Sequence, residues 1–131
     1  MNEAALQSIV RRDFPILTGG VLYRNNVGAC EDATGRLIRY GLGNDSAQLN
    51  REIKSSDLIG ITPVTAYLQS CGWVTLGVFT ALEIKRPGWH MTTGDERAKA
   101  QEKFHTIVRE HGGFAGFVTD LSDLKGIIRR D

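Results

Sequence analysis

Cysteine occurs only twice in the 131 residues, at Cys30 and Cys71, far apart and in no metal-ligand spacing. The two do not make a disulfide framework, and each reads as a buried or free thiol in a reducing compartment. An excess of either charge is also missing. The formal net charge is +1, so no strong basic field advertises a polyanion, and a nucleic-acid partner would be held by local patches. No apolar stretch approaches the roughly 18 residues of a membrane span, and the N-terminus lacks an apolar signal core. Repeats and low-complexity segments are absent. The expectation is a soluble, intracellular chain, with residues 1–131 forming one domain large enough to bury a core.

What the chain does contain is an acidic residue two positions before a lysine, three times: Glu52-Ile53-Lys54, Glu83-Ile84-Lys85 and Asp123-Leu124-Lys125. Context separates the copies. Glu52 follows the polar run Asn44–Asn50, and Asp123 sits in a helix-start pattern, Asp120-Leu121-Ser122-Asp123. Only Glu83 ends a strand-like apolar run, Gly77-Val78-Phe79-Thr80-Ala81-Leu82. Side chains alternate across a strand, so Glu83 and Lys85 share one side while Leu82 and Ile84 take the other.

Residues 2–14 read as a helix stopped by Pro15, with Leu6, Val10 and Phe14 on one stripe and Glu3 at its start. Glu3 either reaches a pocket beside the core or simply favours the positive end of the helix dipole. Thr18-Gly19-Gly20 is a turn before a strand, Val21–Arg24, and turn residues at 25–28 and 31–35 precede Leu37–Tyr40. Arg24, Arg36 and Arg39 then decorate a hairpin-like region. Residues 46–55 are loop or a short helical turn. Ser56-Asp57-Leu58-Ile59-Gly60-Ile61 reads as a short buried strand opened by an acid and ended by Thr62-Pro63. Residues 64–73 are ambiguous, with Gly72-Trp73 turning into the strand that ends at Lys85. Asp57 and Glu83 therefore fall on neighbouring strands.

After a loop at 86–92, Thr93 and Glu96 match a capping box, and the helix runs to Gly112-Gly113. Its stripe is Ala100, Phe104, Ile107 and Val108, with Gln101 on the flank. Phe114–Val118 is a buried strand. Ser122 caps a last helix carrying Leu124, Ile127 and Ile128, and Arg129-Arg130 reads as a solvated tail. A zinc site from Cys30, Cys71, His90, His105 and His111 finds no support in spacing.

Glu3, Asp57, Glu83, Lys85 and Gln101 can all face one point. Gathered carboxylates repel unless a cation sits among them, and all-oxygen ligands favour magnesium or manganese. Such an ion acidifies a water and polarises a phosphoryl oxygen, and Lys85 beside it stabilises developing charge. That is the chemistry of a phosphodiester hydrolase.

The ordered set of a helix with Glu3, Arg24-Asn25-Asn26-x-Gly28, Ser56-Asp57-Leu58-Ile59-Gly60, Glu83-Ile84-Lys85, Gln101 and Gly112-Gly113-x-Ala115 resembles the VRR-NUC family. That family lies within the PD-(D/E)XK nuclease superfamily, and the likeness runs from Glu3 to about Ser122, closest to the stand-alone viral or bacterial form. The resemblance implies a restriction-endonuclease-like α/β core, a central mixed β-sheet flanked by helices in the order αβββαβα. It implies magnesium- or manganese-dependent cleavage of DNA by a homodimer, in branched substrates such as Holliday junctions, in a bacterial or phage-infected cytoplasm. A flap or single-strand nuclease and a non-catalytic nucleic-acid-binding module are the alternatives. Matching positions make Asp57, Glu83 and the Ile84 carbonyl the metal ligands and Lys85 the catalytic lysine. Gln101 positions Lys85 or the water, and Glu3 is the helix acid. Ser56 departs from the family, which usually has proline before the aspartate. DNA phosphates would meet Arg24, Arg36, Arg39, Arg86 or Lys99.

Overall fold

Leu6, Val10 and Phe14 are all buried on one helix in the computed structural model, which describes residues 1–130. That helix, α1 (Glu3–Thr18), does not stop at Pro15 but runs through it. Pro15 lies on the exposed face, so the carbonyl it leaves without a donor, at Arg11, faces water. Gly19 closes the helix in the left-handed conformation at φ 76°, its N–H donating to the Pro15 carbonyl at 2.9 Å.

β1 (Val21–Arg24) follows, then β2 (Gly28–Glu31) and β3 (Leu37–Tyr40), an antiparallel pair standing apart from the main sheet. The sequence offered turn residues on either side of β2 and no strand between them. Asp32 shapes its turn by accepting from the Thr34 and Arg36 N–H groups. Residues 46–55 resolve into the short helix α2 (Ala47–Glu52), capped by Ser46, and a connecting loop.

β4 (Leu58–Leu68) and β5 (Gly72–Ile84) form one long antiparallel hairpin, paired from Leu58 opposite Leu82 to Leu68 opposite Gly72. The strand expected to end at Thr62-Pro63 therefore continues. Pro63 fits because β1 pairs with β4 only as far as Ile61, which leaves the far side of Pro63 open. Its carbonyl, which points the same way as its nitrogen in a strand, accepts from Arg130 at 3.1 Å. Arg130 also donates to the Thr18 carbonyl, so it is packed across the end of α1 rather than a free tail.

α3 (Glu96–Glu110) leads to β6 (Phe114–Val118), a 3-10 turn (Leu121–Asp123) and α4 (Leu124–Ile127). Two caps differ from expectation. Asp95, not Thr93, caps α3 by accepting from the Ala98 N–H, and Asp120, not Ser122, opens the terminal helical segment in a capping box with Asp123. Aspartate held close to the first turn is a better acceptor for those N–H groups than a hydroxyl further out.

The result is a mixed α/β fold whose central sheet has the order β1-β4-β5-β6, with β6 parallel to β5 and the other neighbours antiparallel. Helices flank it on both faces. Leu6, Val10 and Phe14 of α1 pack with Leu22, Leu58, Leu82, Ile84, Val118 and Leu124. Phe104 and Val108 of α3 pack on Ala81 and Ala115 across the other face. Ile107, expected in that stripe, is 38% exposed, and His105 takes a buried place instead. Gly60 is required where β1 crosses β4, since a Cβ there would lie 1.8 Å from the Val21 carbonyl oxygen.

The hairpin outruns its neighbours. Beyond Ile61 and before Thr80 neither β1 nor β6 flanks it, leaving a two-stranded ribbon tipped by Tyr67 and Trp73, stacked edge to face at 5.5 Å. Leu58–Leu82 contains no charged residue at all. No helix among the described residues is long and apolar enough to cross a membrane.

Candidate active site

At its root the hairpin brings Asp57 and Glu83 together, just before the Leu58–Leu82 pair. Strand alternation turns Glu83 away from the α1 core that holds Leu82 and Ile84, and towards α3. The two acids interlock through the backbone. The Asp57 N–H donates to Glu83 Oε2 at 2.9 Å, and the Ile84 N–H donates to Asp57 Oδ2 at 3.0 Å. Gln101, reaching down from α3, donates its Nε2 to Glu83 Oε1 at 2.9 Å. Each carboxylate is thus held in one orientation by groups that belong to the sheet or to the helix lying on it.

Glu83 is 5% exposed, and burial first, then the Asp57 charge, pushes its carboxyl up to about 8. The Asp57 N–H and Lys85 act the other way. Asp57 is raised as well, chiefly by burial, while the Ile84 N–H opposes the rise. Two acids that repel, one of them buried, are costly without a cation. A second sign is at Gln101, 1% exposed, whose Oε1 accepts no hydrogen bond. An orphaned buried acceptor beside an acid pair fits a donor such as water.

The donor set fits a hard cation on these grounds. Magnesium or manganese is commonly held by one or two carboxylates and keeps several waters, which the orphan oxygen could help to orient. No group of three or more His, Cys, Asp or Glu is gathered among the described residues. Cys30 and Cys71 are both free and both exposed rather than buried.

Lys85 lies two residues beyond Glu83, its Nζ 5.2 Å from the Trp89 ring centre and 5.9 Å from that of Phe117. The rings hold the ammonium by cation–π attraction without neutralising it. It makes no ion pair with either carboxylate, although its charge lowers both their pKa values. Glu3 is exposed at the start of α1 and its side chain makes no hydrogen bond among the described residues, but its charge is felt at Asp57.

A cleft of about 710 Å³ opens over this corner, with Asp57, Glu83 and Gln101 in its wall. Of the arginines and lysine singled out for phosphate contact, Arg39 lines it and Arg24, Arg36, Arg86 and Lys99 do not. Lys99 pairs with Glu96 at 3.2 Å on the outer surface of α3. The competing motifs stay apart: Glu52 is exposed at the end of α2, and Asp123 accepts from Thr119 in the final turn.

Several residues of the corner were not among the candidate site residues of the sequence. His105, fully buried, joins its Nε2 to Ser56 Oγ at 2.8 Å, and burial pushes its imidazole down to about 4. It sits four residues after Gln101, so one face of α3 braces both strand ends, and that spacing was readable. Asn25 donates from Nδ2 to Ser55 Oγ and the Ser56 carbonyl, tying β1 to the approach of β4. Lys54 and Arg97 also line the cleft. No protein-family model, curated protein or solved structure matches the chain.

Proposed function

We propose that the protein is a divalent-metal-dependent endonuclease that hydrolyses phosphodiester bonds in DNA, selectively in branched DNA such as four-way junctions. The observation that carries this reading is the interlocked Asp57–Glu83–Gln101 corner, with Glu83 and Gln101 buried beside a half-buried Asp57 and Lys85 just past the end of β5. The element order also supports it. Setting aside the β2–β3 pair and α2, the chain runs helix, three strands, helix, strand, which suits a restriction-endonuclease-like core. The motifs that resemble the VRR-NUC family lie on or beside α1, β1, β4, β5, α3 and β6, in that order along the chain.

Asp57, Glu83 and the Ile84 carbonyl would hold magnesium or manganese, which supplies Lewis acidity and an acidified water when bound. The chain's own groups do the rest. Glu83 surrenders its proton as it becomes a ligand, so binding is favoured as pH rises. Gln101 fixes the Glu83 carboxylate through Nε2 and offers its free Oε1 to the attacking water. Lys85, steadied by Trp89 and Phe117, donates to the phosphoryl oxygen on which charge develops. Ser56, where the family usually has proline, is held by His105, so the approach to Asp57 is fixed by a hydrogen bond instead of a ring. A homodimer belongs to the same reading: two sites related by a twofold axis would address two strands, and the uncharged ribbon is suited to self-association.

The test is cleavage of labelled four-way junction, flap and linear duplex DNA with magnesium, manganese or EDTA, wild type against Lys85→Ala. Metal-dependent paired cuts in the junction, lost in the variant, are expected. Cutting of flaps alone would change the substrate, and binding without cutting of any DNA would refute the enzyme.

A further inference from the structure

Three cations enter the cleft from separate segments: Arg39 from β3, Lys54 from the loop after α2, and Arg97 from the first turn of α3. None of them pairs with a carboxylate among the described residues, whose ion pairs are Arg12–Asp13, Lys99–Glu96, and His105 and Arg109 with Glu102. Arg97 is placed against local preference, since a positive side chain in the first helical turn opposes the helix dipole. Lys54 is held in position, donating its Nζ to the Asn50 carbonyl at 2.8 Å and to Asn50 Oδ1 at 2.7 Å. Its backbone N–H is also fixed, to the Ala100 carbonyl of α3. Arg39 is steadied by Asn44 Oδ1 at 2.9 Å. Both line the same cleft, and burial and the neighbouring Arg97 charge both lower the Lys54 pKa, so the positive charges of Lys54 and Arg97 lie within reach of one another.

Cations that share a cleft without pairing with its acids, two of them anchored by asparagine side chains, are organised for an anion from outside. The acids on the cleft wall repel a lone small anion, whereas a strand carrying successive phosphates can meet the arc and still pass the acid corner. We infer that Lys54 and Arg97, with Arg39, seat the sugar-phosphate backbone of the strand that is cut, to one side of the Asp57–Glu83 corner. This assignment rests on the nuclease reading.

The experiment is fluorescence anisotropy with labelled junction DNA in EDTA over a salt series, alongside cleavage in magnesium. The variants are Lys54→Ala/Arg97→Ala, the milder Lys54→Gln/Arg97→Gln, and Lys103→Ala/Lys125→Ala as a control with the same charge loss on exposed helix surface. Thermal unfolding checks that each is folded. The arc variants should bind at least about tenfold more weakly, and their salt slope should fall by about 1 to 2, near 0.9 for each duplex phosphate left without its cation. The control pair should follow wild type. If wild type cuts DNA and either folded arc variant keeps wild-type affinity and slope, the arc is wrong and the nuclease stands. If wild type neither binds nor cuts any DNA, both fall.

Discussion

Replacing Glu83 by glutamine should stabilise the metal-free protein at neutral and alkaline pH. The cause is the burial of Glu83 beside the Asp57 charge, which raises its pKa from 4.5 to about 8. A carboxyl whose folded pKa lies above its unfolded value contributes stability below the unfolded value. That contribution is lost as pH rises through the folded value. At about 1.4 kcal/mol per pH unit, the loss is about 3 kcal/mol at pH 7 and approaches about 5 kcal/mol above pH 8. Glutamine keeps the shape and an acceptor for the Asp57 N–H but never ionises. For a chain of this length each kcal/mol moves the midpoint by about 4 °C. His105 titrates in the opposite sense, so the wild-type profile alone understates the effect. The quantity to read is the difference in Tm between Glu83→Gln and wild type in EDTA. It should be near zero at about pH 4.5 and open to about 10 °C at about pH 7. Magnesium should then raise the wild-type Tm and leave the variant unmoved. A difference that does not grow with pH would refute the picture of a buried, repelled carboxyl.

Two other perturbations probe the same corner. Burial lowers the His105 pKa from 6.5 to about 4, so its contribution is present above pH 6.5 and lost as pH falls through about 4. His105→Gln should flatten the acid side of a urea-unfolding profile by about 3 kcal/mol, and identical acid limbs would contradict this. Glu52→Gln should leave cleavage intact and stability within about 0.5 kcal/mol, because Glu52 is exposed at a helix end. Loss of cleavage with the fold preserved would mean that the catalytic Glu-Ile-Lys is the one at Glu52.

Residues whose neighbours lie close in sequence were the legible ones. The Leu6–Val10–Phe14 stripe, the strand ending at Glu83 and the strand Phe114–Val118 follow from periodicity, and the apolar run after Asp57 put that acid on the strand next to Glu83. Gln101 was readable as a polar group beside a buried stripe. Pro15 was not, since its tolerance depends on facing water, and neither was Pro63, which needs the end of β1 to leave its edge open. The cleft cations were hidden for the same reason. Lys54 and Arg97 lie 43 positions apart and meet only because the loop after α2 bonds to α3. The exposed arginines Arg24, Arg36 and Arg86 look identical in a sequence.

The hairpin has a consequence for chain length. Its root is pinned by Leu58 and Leu82 in the core, while the ribbon beyond Thr62 touches neither flanking strand. Residues can be added or removed at the tip in opposed pairs, one from each strand, without moving Asp57 or Glu83. An unpaired deletion is different. It must be absorbed as a bulge, or the register slips by one and turns Glu83 and Lys85 towards α1, away from Gln101. The number of residues between the two acids is therefore free to drift, provided that it drifts by twos.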